Sequence, residues 1–164
     1  MIVVADSSPL VILAKLRCFD LLNKIYAKVS ISTEVHREVV VSGAGLPGAS
    51  EVANASWVEV RAVQPARLAA AIGQKHALGA GELSTILLAK EIGADTVLLD
   101  DHKARRLAAN EGLRVRGSVG LLESFYVQGH LADLREAFRQ LRASSYIEEN
   151  VLNVRLRALG LPPL

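Results

Sequence analysis

Hydrophobic and polar positions along the chain fall into two alternating kinds of segment. The short, largely apolar runs Ile2 to Ala5, Val29 to Ser32 and Thr96 to Leu99 suit strands buried in a parallel sheet. Trp57-Val-Glu-Val-Arg61 alternates as a strand does, and Arg114 to Arg116 makes a last short one. Between the strands, apolar residues recur at helical spacing. Pro9 to Leu16 and Phe19 to Tyr26 read as two helices or one bent helix, with Pro9 suited to a first helical position. Ser32 or Thr33 caps a helix running to about Val41; Ala49 to Ala55 is a short helix, and Pro65 opens another to about Ile72. Glu82 to Ile92 and His102 to Glu111 follow, the second closed by Gly112, and then Val119 to Val127. Strands alternating with helices predict an α/β fold, a parallel sheet wound on both sides.

Length and composition narrow this picture. The 164 residues suit one domain with a proper core, and a hydrophobic fraction of 51% with 22% charge marks a globular chain. Beyond about residue 128, Leu134, Phe138 and Leu141 recur at helical spacing, and Val151 to Leu159 makes a final helix. Residues 128–164 are therefore expected as a helical extension packed on a single domain 1–164. The net charge of +2 permits contact with nucleic acid without demanding it. The single cysteine, Cys18, makes no internal disulfide and reads as a core residue, as expected in a reducing cytoplasm. Lys15, Arg17 and Asp20 interrupt the first apolar stretch, so no membrane span is expected, and no signal peptide.

Candidate chemistry begins with a decoy. Gly43-Ala-Gly45-Leu-Pro47-Gly48 matches G-x-G-x-x-G, but the segment before it is helical and the helix after it short. It reads as a surface loop rather than a nucleotide site. His36, His76, His102 and His130 show no ligand spacing, and Ser7 and Ser8 lack a hydrolase elbow. The acids are better placed. Asp6 ends the first strand, Asp100-Asp101 ends the Thr96 strand, and Glu82 lies in a first helical turn after the hinge-like Gly79-Ala-Gly81. Glu38 lies about one turn into the helix after the second strand, with Glu34 a rival. Ligands bind at the carboxyl ends of strands in such sheets, and gathered carboxylates call for a hard cation, Mg²⁺ or Mn²⁺. Each acid also has a plainer use: Asp6 or Asp101 as a helix cap, Glu82 favouring its helix dipole.

Val4-Ala-Asp6-Ser-Ser-Pro-Leu10, Glu38, Gly79-Ala-Gly-Glu82 and Leu98-Leu-Asp-Asp101 followed by Lys103-Ala-Arg105-Arg106 resemble a PIN domain. The chain is similar to a PIN-like subfamily of unknown function in prokaryotes, related to the VapC-type ribonuclease toxins. The resemblance implies a three-layer α/β/α sandwich with a central parallel sheet and extra C-terminal helices. It implies Asp6, Glu38, Glu82 and Asp100 as catalytic acids, with Asp6, Glu82, Asp100 and Asp101 around the metal. Typical members carry Thr or Ser, one residue, then Asp after the fourth strand, where this chain has Asp100-Asp101. Alternation at a strand end favours Asp100 as the one facing the metal. Ser8, Lys103, Arg105 and Arg106 are the candidate substrate contacts.

Three functions follow as expectations. The first is a divalent-metal-dependent endoribonuclease, the toxin of a toxin–antitoxin pair, homodimeric and silenced by a cognate antitoxin, with Phe138, Tyr146 and Leu152 as candidate interface residues, for which buried packing is the more common use. The second is a catalytically weak or inactive PIN-like module that binds RNA or protein. The third is a phosphotransfer domain with Asp6 as nucleophile, though Ser8 stands where the dehalogenase pattern wants a second acid.

Overall fold

The computed structural model describes residues 1–74 and 77–164, so His76 lies outside the described residues. Among them the chain runs β1 (Val3–Ala5), α1 (Ser7–Lys15), α2 (Leu21–Ile25), β2 (Val29–Ser32) and α3 (Thr33–His36), then a π-helical segment, Arg37–Ser42. It continues through α4 (Ala49–Asn54), β3 (Val58–Arg61), α5 (Pro65–Gly73), α6 (Ala80–Ile92), β4 (Thr96–Leu98) and α7 (His102–Asn110). It ends with β5 (Val115–Arg116), α8 (Ser118–Val127), α9 (Leu134–Ser144) and α10 (Glu149–Ala158).

The strands form one sheet in the order β3-β2-β1-β4-β5, every neighbouring pair parallel. This is the expected central parallel sheet between helical layers. The chain builds β1, β2 and β3 outward on one side, then returns to place β4 on the other side of β1. That reversal is a topological switch point, and it leaves a crevice at the carboxyl ends of β1 and β4. Their register, Val3 with Thr96 and Ala5 with Leu98, brings the residues that follow each strand to the same edge.

The pleat sorts the apolar residues into two cores. Val3, Ala5 and Leu98 face Leu10 and Leu13 of α1, Phe125 of α8, Phe138 and Leu141 of α9, and Leu152 of α10. Val4, Val97 and Leu99 face Leu68 of α5, Leu83 and Ile86 of α6, and Ala104 and Ala108 of α7. Phe138 and Leu152 are fully buried, so neither is open to a partner as the sequence reading allowed; only Tyr146 of that trio is exposed. Burial at about 1.5–3 kcal/mol per large side chain keeps these residues inside.

Three local departures have physical causes. The first helix begins at Ser7 rather than Pro9, which places Pro9 third, still within the turn whose N–H groups lack helical partners. Phe19 to Tyr26 is a separate helix because Arg17, at φ 57°, ends α1 in the left-handed region, while the Cys18 N–H closes onto the Leu13 carbonyl at 2.8 Å. The helix expected to Val41 widens into a π-helical turn after His36. Gly43 closes that turn, where a Cβ would stand 2.5 Å from the Val39 carbonyl oxygen. The Gly43–Gly48 stretch is a loop that follows a helix, as the rejection of a nucleotide fingerprint requires. No helix among the described residues is long and apolar enough to cross a membrane.

Candidate active site

Asp6 is the residue after β1 and occupies the N-cap position of α1, yet its side chain makes no cap hydrogen bond. It is only 4% exposed, and its Oδ1 is buried with no hydrogen-bond partner. Burial pushes its carboxyl up to about 7; the Ser7 amide works against that, and the charges of Glu82, Glu38 and Asp100 add to it. A cap would not leave a carboxylate oxygen dry and unpaired. Asp6 is instead the buried centre of an acidic group.

Asp100 follows β4 and is held from two helices. The Ser118 N–H donates to its Oδ1 at 2.7 Å, the Ser118 hydroxyl to its Oδ2 at 2.7 Å, and the Ser8 hydroxyl to Oδ2 at 3.1 Å. Ser118 opens α8, so the amide it supplies belongs to the electropositive end of that helix. Asp101 turns the other way: its Oδ1 accepts the Ala104 N–H at 2.9 Å and caps α7. Adjacent residues at the end of a strand thus divide the work, Asp100 toward the crevice and Asp101 at the helix.

Glu82 and Glu38 complete the group. Glu82 stands in the first turn of α6, where its Oε2 accepts the Gly79 N–H at 2.8 Å. Burial raises its carboxyl; that amide opposes the rise, and the charges of Asp101 and Glu38 reinforce it. Glu38 comes from the π-helical segment and accepts the Ser7 hydroxyl at 2.6 Å. Its carboxylate lies flat against α6 because residue 81 is glycine: a Cβ there would stand 2.5 Å from Oε1 and 2.7 Å from Oε2. Glu34, one turn earlier, has a buried Oε2 without a partner.

Glu38, Glu82 and Asp100, from distant parts of the chain, therefore lie near enough to Asp6 for their charges to raise its carboxyl. Their hard oxygen atoms fit Mg²⁺ or Mn²⁺ in chemistry, and the unpartnered Asp6 Oδ1 is an oxygen that a cation would satisfy. Their arrangement is a different matter. Among the described residues no three His, Cys, Asp or Glu side chains are grouped so as to hold a metal ion. Glu38, Glu82 and Asp100 each hold a protein donor instead.

Of the expected substrate contacts, Ser8 joins the site through Asp100, and Arg105 reaches toward the Leu99 carbonyl at 3.5 Å. Lys103 is exposed on α7, and Arg106 bonds His102 at 3.0 Å. Sequence reasoning missed Ser118, Gly81 and the Ser7–Glu38 bond. The available signal for Ser118 was a Gly-Ser pair between a short strand and a helix, which is a turn at the same end of the sheet as Asp6.

No curated protein matches the chain. A family model described as a PIN domain, DUF3368, matches residues 2–161. The chain belongs to that PIN-domain family.

Proposed function

We propose that this protein is a divalent-metal-dependent endoribonuclease of PIN type, acting in the cytoplasm as the toxin of a toxin–antitoxin pair. The observation that carries the reading is Asp6, a buried carboxylate with one unpartnered oxygen, surrounded by Glu38, Glu82 and Asp100. An acid so placed is costly unless a cation or a proton neutralises it. Mg²⁺ or Mn²⁺, when bound, supplies a lowered pKa for a bound water and positive charge for the phosphoryl oxygens. Asp6, Glu82 and Asp100 would hold it, with the free oxygen of Asp101 at the rim.

The protein's own groups set up the remainder. Ser118 and Ser8 fix the Asp100 carboxylate so that it does not swing into solvent. Glu38, exposed and, among the described residues, held only by the Ser7 hydroxyl, is free to orient the attacking water or accept its proton. Arg105, Arg106 and Lys103 line the approach for flanking phosphates. The cognate antitoxin and the homodimer follow from the family resemblance.

A second reading, a PIN-like module that binds RNA or protein with weak or no cleavage, is favoured by a specific observation. As folded, the acids are not grouped as metal ligands, so this reading needs no side chain to move. Calorimetry with Mn²⁺ and a cleavage assay on single-stranded RNA separate the two. The nuclease binds Mn²⁺ and cuts RNA, and Asp6→Asn loses both. Failure of the wild type to bind Mn²⁺, with RNA recovered intact, leaves the binding module. Acid-labile phosphorylation at Asp6 would instead mark a phosphotransfer domain.

A further inference from the structure

Outside the acid site, a groove of about 850 Å³ runs between α7, β5, α8 and α10. Its charge is lopsided. Arg105, Arg106, Arg116 and Arg155 line it against one acid, Glu123, a net of +3 from these side chains. The whole chain carries only +2, so the rest of the molecule is slightly acidic and the positive charge is focused here.

Most of that charge is uncompensated. Arg155 is paired with Glu123 in a two-point contact. Arg105, Arg106 and Arg116 form no ion pair among the described residues. They are oriented by groups other than carboxylates: Arg105 by the Leu99 carbonyl, Arg106 by His102, and Arg116 by the Tyr26 hydroxyl at 3.1 Å. Guanidinium groups held in place without a carboxylate keep their donors available to an anion.

The groove also opens toward the acids. Gly117 lines it, and a Cβ on Gly117 would run into the Arg105 guanidinium and stand 3.1 Å from Asp100 Oδ1. The missing side chain leaves a shared space between the cationic groove and the acid that Ser118 holds. No Phe, Tyr or Trp is among the described residues that line the groove, so it offers charge rather than the broad stacking platform those rings make for bases.

We infer that this groove, bounded by Arg105, Arg106 and Arg116, is the track for the phosphate backbone of single-stranded RNA on one side of the scissile bond. The inference rests on the RNA-directed reading above and specifies where the strand lies. Contact is to phosphates and independent of base sequence.

Fluorescence anisotropy with a labelled oligouridylate tests it in EDTA, where no cleavage intervenes. Arg105→Gln, Arg106→Gln and Arg116→Gln are each expected to weaken binding several-fold. Each is also expected to flatten the slope of log affinity against log salt by about 0.7, one phosphate contact on a single strand. Arg61→Gln, on β3 at the far edge of the sheet, is expected to match the wild type. Thermal melts identify any variant that fails to fold, and Arg106→Gln, at an exposed position, is the one least exposed to that risk. RNA binding that persists with wild-type salt slopes in all three variants overturns the groove and leaves the RNA reading standing. Absence of RNA binding by the wild type overturns both. Tight binding of polyglutamate by a protein that ignores RNA would assign the groove to an acidic protein segment and overturn the RNA track.

Discussion

Ser118 meets Asp100 twice, its backbone N–H donating to Oδ1 and its hydroxyl to Oδ2, each at 2.7 Å. The amide survives substitution by any residue but proline, whereas the hydroxyl is lost in Ser118→Ala. Ser118→Ala leaves Oδ2 with only the longer Ser8 bond, and hydrogen bonds to charged groups are worth about 1.5–3 kcal/mol. Because Asp100 is half-buried and water can replace part of the loss, the expected destabilisation is about 1–2 kcal/mol in urea unfolding. Ser118→Thr keeps the hydroxyl and is expected to retain most of the stability. Divalent-cation affinity should fall with Ser118→Ala and recover with Ser118→Thr. Equal stability of Ser118→Ala and wild type would show that the hydroxyl does nothing for Asp100.

Asp6 makes stability depend on pH in a direction unusual for a carboxylate. Its carboxyl is raised from 3.8 to about 7, so between those values the folded chain holds a proton that the unfolded chain has lost. Stability from this group is complete below 3.8, declines as pH rises toward 7, and is flat above. The difference corresponds to roughly 4 kcal/mol. Glu82, also raised, adds to the same slope. Asp6→Asn is expected to be more stable than wild type at pH 8 and close to it at pH 4, measured by urea unfolding across the range. A wild type that gains stability between pH 5 and 7, relative to Asp6→Asn, contradicts the burial argument.

Much of this site is legible in the order of residues, and the rest is not for reasons of distance. Asp6 and Asp100 each close an apolar run, and the parallel alternation of strands and helices sends both to one edge of the sheet. Ser118 is marked only by the Gly-Ser pair that opens its helix. Its partner lies 18 positions earlier, and only the turn from β5 into α8 delivers it. The π-helical segment is silent in sequence, because Val39, Val40 and Val41 read as an ordinary helix continuation. Pro9 misled for the opposite reason: it is tolerated anywhere in a first turn, so it marks a helix start only loosely.

Asp100 and Asp101 should part company under mutation. Asp101 caps α7 through Ala104, and Asn caps nearly as well as Asp. Asp101→Asn is therefore expected to keep wild-type stability, while Asp101→Ala costs about 1 kcal/mol. Asp100→Asn removes a carboxylate that faces Ser118 and Ser8, and divalent-cation binding by calorimetry is expected to drop at that position far more than at Asp101. The opposite ranking of the two Asn variants in Mn²⁺ affinity would assign the metal to Asp101.

Gly81→Ala offers a sharper separation of stability from function. Alanine is the better residue in a helix by about 1 kcal/mol, and position 81 lies in the first turn of α6 without a left-handed backbone. The nearest atoms to the new Cβ belong to Glu38, with Oε1 at 2.5 Å and the carboxyl carbon at 2.9 Å. Glu38 is exposed and its side chain is long, so it can swing away at small cost, losing its bond to Ser7. The substituted protein is thus expected to melt at or slightly above the wild-type temperature while RNA cleavage falls by an order of magnitude or more, a general-base-sized loss. Ser7→Ala removes the same restraint on Glu38 without filling the space, so a smaller loss of cleavage is expected. If Gly81→Ala cuts RNA as well as wild type, Glu38 has no role that depends on lying against α6. If it unfolds, the close approach of Glu38 holds the fold together rather than serving the chemistry.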